Sequence, residues 1–212
     1  MIEYVLFDAA NTLIHKPDLW AKMHEVLTRN GYDIDSEELK LKHKLLSEYI
    51  KFPDVTSESF YNEFNTELLN SLGIIENDEL LSEVFQNCKY LPWVAFEDTS
   101  YINSLNCEIG VLSNFNTGLT KILKEQLPLL NFKHIFISEE EKVSKPDIKF
   151  FEIAIKKIGL DPSKILYIGD SLKLDVMPAL KMGLNVNLID RDNTYKSSKF
   201  QLKSFKSINL ES

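Results

Sequence analysis

The sequence has few of the residues that mark several large classes of protein. Its two cysteines, Cys88 and Cys107, provide no disulfide framework and fit a reducing compartment. Only Arg29 and Arg191 are arginines, so bidentate clamps on phosphate or carboxylate groups are scarce. No apolar run reaches the ~18 residues that a membrane-spanning helix needs. Acidic residues interrupt the N-terminal apolar stretch, so no signal peptide is expected and we predict a cytoplasmic protein.

Positive charge is also in short supply. The chain has 32 aspartate and glutamate residues against 24 lysine and arginine residues, which gives a formal net charge of -8. This balance argues against a dedicated nucleic-acid binder, because such a protein needs a basic face to displace counterions. The hydrophobic fraction of 44% and the charged fraction of 26% are ordinary for a folded globular protein. The sequence therefore predicts a soluble protein with no nucleic-acid partner and no membrane partner.

Short continuous apolar runs recur along the chain and predict buried strands. Runs without polar alternation suit strands of a parallel sheet that is covered on both faces. They lie at residues 4–7, 109–112, 135–137, 165–168 and 186–189. Helical patterns long enough for a crossover connection lie between several of them, such as the one that begins at Asp147 and ends at Gly159. This alternation predicts an α/β fold with a doubly wound parallel sheet.

Residues 16–98 have helical periodicity and no convincing strand, and an Asp35–Glu38 capping pair opens one of the expected helices. We therefore predict two domains: an α/β core of residues 1–15 and 99–212, and an inserted helical domain of residues 16–98. The alternative is that these helices belong to a single core. Several aromatic side chains of this block fit a cavity lining or a helix core, and the helix core is favoured. These are Trp20, Tyr32, Phe60, Tyr61 and Phe64.

Residues capable of chemistry follow the predicted strands. Asp8 follows the first strand, Ser113 the second, and Asp170 with Asp175 the fourth, while Lys145 lies in a polar segment after the third. In an open parallel sheet, ligands bind at the carboxyl ends of the strands. Each residue alone has a structural explanation as a turn residue, a helix cap or a solvated side chain. Their order along the chain favours a functional site.

Four segments resemble the motifs of the haloacid dehalogenase superfamily of hydrolases. They are VLFDAANTL at residues 5–13, VLSN at 111–114, KP at 145–146 and GDSLKLD at 169–175. The helical block between the first and second motifs resembles the helical cap of that family. The resemblance extends over essentially the whole chain, and it implies a Rossmann-like core with this cap.

The resemblance further implies a magnesium-dependent phosphatase that acts on a small phosphorylated metabolite. The nucleophile Asp8 would form an aspartyl-phosphate, which splits one difficult transfer into two easier steps. Mg²⁺ prefers oxygen ligands and commonly takes one or two carboxylates. The resemblance implies that Asp8, Asp170 and the Ala10 carbonyl bind the metal, and that Asp175 belongs to the metal site, where it holds either a metal-bound water or Lys145. It also implies that Lys145 neutralises negative charge and that Lys145, Ser113 and the Asn114 backbone N–H bind the phosphoryl group. Thr12 would fix the loop that carries Asp8.

Position 10 departs from the family pattern. Phosphatases of this family have a second aspartate there, which protonates the leaving group and then activates water, whereas this chain has Ala10. Acid–base catalysis contributes roughly 10²–10⁴-fold to rate, so we expect weakened catalysis. Asn11 is no substitute, because an amide does not exchange a proton near neutral pH. His15 is a possible replacement.

Two alternatives follow from Ala10. The first is a non-catalytic regulatory protein that binds a metal or a phosphate on the same fold, against which the retained polar residues count. The second is a 2-haloacid dehalogenase, which lacks the second aspartate, uses no metal and expels halide. Asp170 is the type of residue that binds a metal, which counts against a dehalogenase. A dehalogenase also needs an arginine early in the cap to bind the substrate carboxylate, and the spacing of Arg29 from Asp8 does not match well. The dehalogenase therefore ranks third.

Overall fold

The computed structural model describes residues 1–53 and 57–211. Residues 54–56 of the predicted helical domain and residue 212 of the predicted core lie outside the described residues. The chain divides into two compact units, the first formed by Met1–His15 and Val94–Ser212 and the second by Lys16–Trp93. The second unit ends at Trp93, whereas the predicted boundary is residue 98. The difference arises because Val94 and Ala95 form a strand that pairs with Ile14 and His15 of the first unit. Among the described residues, none of the helices combines the length and the apolar character that crossing a membrane requires.

The first unit is built on a parallel sheet. In chain order, the strands are β1 (Tyr4–Phe7), β2 (Ile14–His15), β3 (Val94–Ala95), β4 (Glu108–Ser113), β5 (Phe132–Ile137), β6 (Ile165–Gly169), β7 (Asn185–Ile189) and β8 (Gln201–Leu202). Within the described residues, six strands form a sheet of order β5-β4-β1-β6-β7-β8, and each neighbouring pair is parallel. Strands β2 and β3 form a separate antiparallel pair. The predicted α/β fold with a parallel sheet is confirmed.

Helices connect the strands and also make up the second unit. In chain order, they are α1 (Leu19–Arg29), α2 (Ser36–Tyr49), α3 (Glu58–Ser71), α4 (Asp78–Cys88), α5 (Leu119–Gln126), α6 (Ser138–Glu141), α7 (Ile148–Ile158) and α8 (Met177–Lys181). Short 3-10 segments lie at Glu97–Ser104, Pro162–Lys164 and Phe205–Ser207, and a π-helical turn lies at Leu172–Val176. The Asp147 side chain caps α7 by accepting from the Lys149 N–H, and Gly159 ends this helix at a φ of 77°.

Strand β1 is covered on both faces, which explains why its sequence shows no polar alternation. All four of its side chains are fully buried. The strand lies between β4 and β6, in the middle of the sheet. The residues that follow these three parallel strands therefore meet at one edge, and they are Asp8, Ser113 at the end of β4, and Asp170 after β6.

The second unit has a helical core of its own. Leu27 of α1, Leu39 of α2, Phe64 of α3 and Val84 of α4 are buried in one apolar cluster. The Asp35 side chain caps α2 by accepting from the backbone N–H groups of the next turn. Phe64 thus belongs to a helix core, as the favoured interpretation expects. Assignment of this unit as a cap stays a prediction.

Candidate active site

Asp8 stands directly after the central strand, and both its backbone and its side chain are held. Its backbone N–H donates to the Ile168 carbonyl oxygen at 2.8 Å, which ties it to β6. Its carboxylate is buried, and Oδ1 accepts from Ser113 Oγ at 3.1 Å and from Lys145 Nζ at 2.6 Å. Three of the predicted site residues, distant in sequence, are therefore joined at one oxygen atom.

Lys145 is the cation at the centre of the site. Its side chain is only 2% exposed, and Nζ lies 2.6 Å from both Asp8 Oδ1 and Asp175 Oδ1. Nζ also donates to the Tyr167 hydroxyl at 3.2 Å. An ammonium group has three donors, so these three contacts use all of them. The lysine is thereby fixed between two strand ends.

Asn114 anchors the backbone of that lysine. The Asn114 side chain accepts from the Lys145 backbone N–H at 2.8 Å and donates to the Lys145 carbonyl oxygen at 2.9 Å. The sequence assigned a role only to the backbone N–H of Asn114. The reciprocal amide contact is a tertiary interaction that no spacing rule reveals, and it brings the segment after β5 to the end of β4.

Asp175 reaches the site from the turn that follows β6. Its Oδ2 accepts from the Ser171 N–H at 3.0 Å, and its side chain is 1% exposed. This return is possible only beside a glycine, because a Cβ atom built on Gly169 would lie 2.4 Å from Asp175 Cγ. The glycine at position 169 is therefore a packing requirement of the site as well as part of a family motif.

Three carboxylates converge near the lysine. Ligand oxygens of Asp8, Asp170 and Asp175 all lie within 4.8 Å of one another. Lys145 pairs with two of these carboxylates, Asp8 and Asp175, and the cluster is largely buried. An all-oxygen donor set of this kind suits a hard cation such as Mg²⁺, Mn²⁺ or Ca²⁺. The residues present therefore fit a divalent cation, whose identity the donor set alone does not fix.

The electrostatics of the buried groups point the same way. Burial raises the pKa of Asp8 to about 6, the Lys145 charge opposes this shift, and the Asp175 and Asp170 charges add to it. Burial alone would lower the pKa of Lys145, but the carboxylates of Asp175 and Asp8 outweigh it and hold that pKa above its ordinary value. The lysine is thus a permanent cation, while burial and the neighbouring carboxylates disfavour the negative charge of Asp8.

Tyr167 is a site residue that the sequence analysis missed. Its hydroxyl lies 2.8 Å from Asp175 Oδ1 and 3.3 Å from the Leu112 carbonyl oxygen, and it accepts from Lys145 Nζ. Burial, followed by the charges of Asp175 and Asp8, raises the pKa of Tyr167 well above its ordinary value, so it remains a neutral donor. The only sequence signal is a hydroxyl inside an otherwise apolar strand.

The loop after Asp8 carries the departure from the family pattern. Ala10 forms an isolated bridge with Ile14, and its methyl group offers neither acid nor base. Asn11 is exposed at a φ of 59°, a left-handed conformation that asparagine tolerates. The buried Thr12 hydroxyl has no hydrogen-bond partner in the described part of the chain. Thr12 therefore contributes to the loop through its backbone, whose N–H donates to the Ala9 carbonyl oxygen at 3.3 Å.

His15, the proposed substitute for the missing acid, is engaged elsewhere. Its ring stacks on Phe96 at a centroid distance of 4.0 Å and an interplanar angle of 9°. Burial and the charge of Arg191 lower the pKa of His15. Its contacts therefore give it a packing role in the β2–β3 pair.

Comparison with known proteins identifies the family. Residues 2–183 match the model of the haloacid dehalogenase-like hydrolases. The chain therefore belongs to this family of hydrolases. The match ends before the last two strands, so the segment that contains Arg191 and β8 lies outside it.

Two curated relatives extend over much of the chain. Haloacid dehalogenase-like hydrolase domain-containing protein 3 of Danio rerio is 26% identical over 166 residues, which cover 74% of this chain and 69% of the relative. A glyceraldehyde 3-phosphate phosphatase of Methanothermobacter thermautotrophicus is 26% identical over 212 residues, which cover 92% and 88% of the two chains. Both similarities extend beyond the motif segments.

Two solved structures share the fold. The HAD-hydrolase YfnB of Bacillus subtilis, bound to magnesium, is similar with a TM-score of 0.64, 19% identity and coverage of 96% of this chain and 95% of its own. The defluorinating L-2-haloacid dehalogenase Rha0230 is similar with a TM-score of 0.60, 17% identity and coverage of 97% and 92%. At such identities the likeness concerns the fold alone.

Proposed function

We propose that this chain is a magnesium-dependent phosphohydrolase that acts on a small phosphorylated metabolite through an aspartyl-phosphate on Asp8. The observation that carries the proposal is the joint contact of Lys145 and Ser113 with Asp8 Oδ1, beside a cluster of carboxylates. The similarity to a glyceraldehyde 3-phosphate phosphatase supports a small phosphorylated molecule as substrate.

The residues divide the chemistry as follows. Both hydrogen bonds hold Asp8 Oδ1, so Oδ2 is the oxygen that would attack phosphorus. The bond from phosphorus to the leaving oxygen breaks, and that oxygen departs with the electron pair. Water then attacks the phosphorus of the aspartyl-phosphate and the bond to Asp8 breaks, which leaves a free carboxylate and inorganic phosphate. The phosphate keeps one proton of the water, and solvent takes the other.

The other polar groups would stabilise charge during both steps. The Lys145 ammonium, whose three donors stay on Asp8, Asp175 and Tyr167, would stabilise the phosphoryl oxygens by its charge, and the Ser113 hydroxyl would turn from Asp8 Oδ1 to a phosphoryl oxygen. Preorganised positive charge acts strongly in a buried site. A magnesium ion held by Asp8, Asp170, Asp175 and the Ala10 carbonyl would supply further positive charge. The convergence of three carboxylates within 4.8 Å of one another supports that requirement.

Ala10 narrows the range of good substrates. With no carboxylic acid at this position, the leaving oxygen must depart without a proton from the protein. Acyl and aryl phosphates have leaving groups that are stable as anions, whereas alkyl phosphates need protonation. We therefore propose hydrolysis of acyl and aryl phosphates in preference to alkyl phosphates.

A turnover assay tests the proposal. Phosphate release from acetyl phosphate and from an aryl phosphate is measured with Mg²⁺ and with a chelator. Asp8→Asn should abolish the Mg²⁺-dependent release, and Asp33→Asn, the same change at an exposed position, should leave it intact. No release of phosphate from either substrate by the wild-type protein would refute the enzymatic proposal and favour a non-catalytic binding protein.

A 2-haloacid dehalogenase is the third candidate, after the non-catalytic binding protein, because expulsion of halide needs no acid and Ala10 supplies none. The metal-type residue Asp170 counts against it. Metal-independent release of halide from a 2-haloacid, without hydrolysis of any phosphate, would rank the dehalogenase above the phosphohydrolase.

A further inference from the structure

Arg191 follows β7 at the carboxyl edge of the sheet and reaches the loop that follows Asp8. Its Nη2 donates to the Thr12 carbonyl oxygen at 3.1 Å and to Asp98 Oδ1 at 2.8 Å. Its Nη1 lies 3.4 Å from the Asn11 carbonyl oxygen, at the long end of the hydrogen-bond range. The arginine side chain is 20% exposed and that of Asp98 is 15% exposed, so this ion pair is largely withdrawn from solvent.

Aromatic rings complete the surroundings of the guanidinium group. Its Cζ lies 3.8 Å from the centroid of Phe96 and 5.0 Å from that of Phe205. Planar guanidinium groups stack on aromatic faces while they retain their in-plane donors. Asp98 in turn accepts from the Phe205 N–H through Oδ2 at 3.0 Å. One side chain therefore links the loop, the β2–β3 pair and the C-terminal segment.

The base of Arg191 is itself fixed. The carboxylate of the preceding Asp190 is buried and accepts from the backbone N–H groups of Thr194 at 2.8 Å and Tyr195 at 2.9 Å. It also accepts from Gln201 Nε2 at 2.6 Å. These bonds close the turn after β7 and hold it to β8. The arginine consequently projects from a rigid support, as a positioning residue must.

Backbone hydrogen bonds to the Ala9 and Ile14 carbonyl oxygens close the loop, and Arg191 adds contacts from outside it. Thr12, which the family pattern assigns to fixing this loop, makes no hydrogen bond through its hydroxyl in the described part of the chain. The arginine binds the carbonyl oxygens of Asn11 and Thr12, the two residues after Ala10. It lies beyond residue 183, where the match to the family ends, so the support belongs to this chain's own C-terminal segment.

We propose that Arg191 is a positioning residue that fixes the loop of residues 9–13 and, through it, the orientation of the Ala10 carbonyl toward a divalent cation. The effect on the loop stands on the contacts alone. The effect on the cation rests on the proposed function, in which that carbonyl is a ligand.

The experiment measures the loop and the metal separately. Hydrogen–deuterium exchange of the metal-free protein reports on the amides of residues 9–15, and Mn²⁺ titration followed by electron paramagnetic resonance reports on the cation. Arg191→Ala should speed exchange of these amides roughly tenfold, because local opening becomes easier. It should also weaken Mn²⁺ binding roughly tenfold, the lower end of the usual effect of a residue that supports metal ligands.

Two further variants separate positioning from general stability. Arg191→Lys retains the charge but not the planar fork, so it should fold and show intermediate changes in both readouts. Arg29→Ala removes the other arginine of the chain, which pairs with Glu83 in the second unit, and should change neither readout. Lysine values equal to those of the wild type would overturn the role of the guanidinium fork.

Unchanged exchange of residues 9–15 in Arg191→Ala would overturn the proposal. So would an increase that is equally large in the β5 residues 132–137, because it would signal general destabilisation. If Arg191→Ala does not fold, Arg191→Lys decides by the same criteria. Absence of Mn²⁺ binding by the wild-type protein would overturn the metal site of the proposed function, while the exchange data would still decide the role of Arg191 in the loop.

Discussion

Removing the positive charge of Lys145 should expose how strongly the buried carboxylates depend on it. Lys145→Met preserves most of the side-chain volume but leaves Asp8 and Asp175 without their ammonium partner. Both carboxylates lie 2.6 Å from Lys145 Nζ in the wild-type protein. The side chains of Lys145, Asp8 and Asp175 are at most 6% exposed. The substitution therefore creates uncompensated charge where solvent does not reach.

The magnitude follows from the burial of the pairs. Breaking a buried ion pair by removing one partner typically costs about 3–5 kcal/mol, because the remaining charge stays buried and unpaired. For a chain of this length such a loss lowers the midpoint of thermal unfolding by an amount on the order of 10 °C. Mg²⁺ should restore part of the loss, since any ligand that binds only the folded state stabilises it.

The assay is thermal unfolding followed by circular dichroism, first with a chelator and then with Mg²⁺. Lys121→Met is the matched control, because Lys121 also pairs with a carboxylate, Glu125 at 3.8 Å, but is 81% exposed. Exposed pairs contribute at most about 1 kcal/mol, so the control should barely shift the midpoint. Equal shifts in the two variants would refute the electrostatic reasoning.

A double variant isolates the pairwise contribution. The double variant Lys145→Met with Asp175→Asn should lose less free energy of unfolding than the two single variants lose in sum, by at least about 0.5 kcal/mol. The physical reason is that each substitution removes the partner that the other leaves unpaired. Strict additivity would mean that the 2.6 Å contact contributes nothing to stability.

Three further predictions concern individual residues. Gly169→Ala should destabilise the protein by about 1–3 kcal/mol in urea unfolding, because its Cβ would lie 2.4 Å from Asp175 Cγ; a neutral effect would contradict the close approach. Burial lowers the pKa of His43 to about 4 from 6.5, so its contribution to stability is complete above pH 6.5 and is lost as the pH falls toward 4. The loss is at most about 3 kcal/mol, and His43→Gln should flatten the pH dependence of unfolding. Ala10→Asp should raise the hydrolysis of an alkyl phosphate by roughly tenfold or more, with Ala21→Asp as the control without effect; a folded variant without any gain would contradict the assigned defect.

The fold was largely predictable because its strands are buried on both faces. Residues 4–7 and 165–168 form apolar runs that no surface strand would have, and they became β1 and β6. Strands β2, β3 and β8 are two residues long each and too short to show any period. The segment after β6 is a π-helical turn, Leu172–Val176, followed by a short helix, because the chain must first bring Asp175 back toward Gly169.

The site was predictable to the extent that it follows strand order. Asp8, Ser113 and Asp170 follow neighbouring parallel strands, so topology alone brings them to one edge. Tyr167 and the Asn114 side chain were missed because their roles depend on contacts with a lysine from another segment. The functional roles assigned to these residues stay predictions, which the substitutions above test.

Alanine at position 10 has an electrostatic consequence besides the loss of an acid. With alanine, three carboxylates cluster at this site, whereas an aspartate there would add a fourth. Like charges a few ångströms apart repel by about 3–4 kcal/mol at an effective dielectric constant near 20, so each added carboxylate opposes the binding of a phosphoryl dianion. Restoring aspartate should therefore raise kcat without tightening substrate binding, and a lower KM with unchanged kcat would be the opposite of what the charges require. Under the proposed function, alanine at position 10 therefore has two opposite effects. It lowers the electrostatic repulsion that opposes phosphate binding, and it removes the acid–base group that rapid turnover needs.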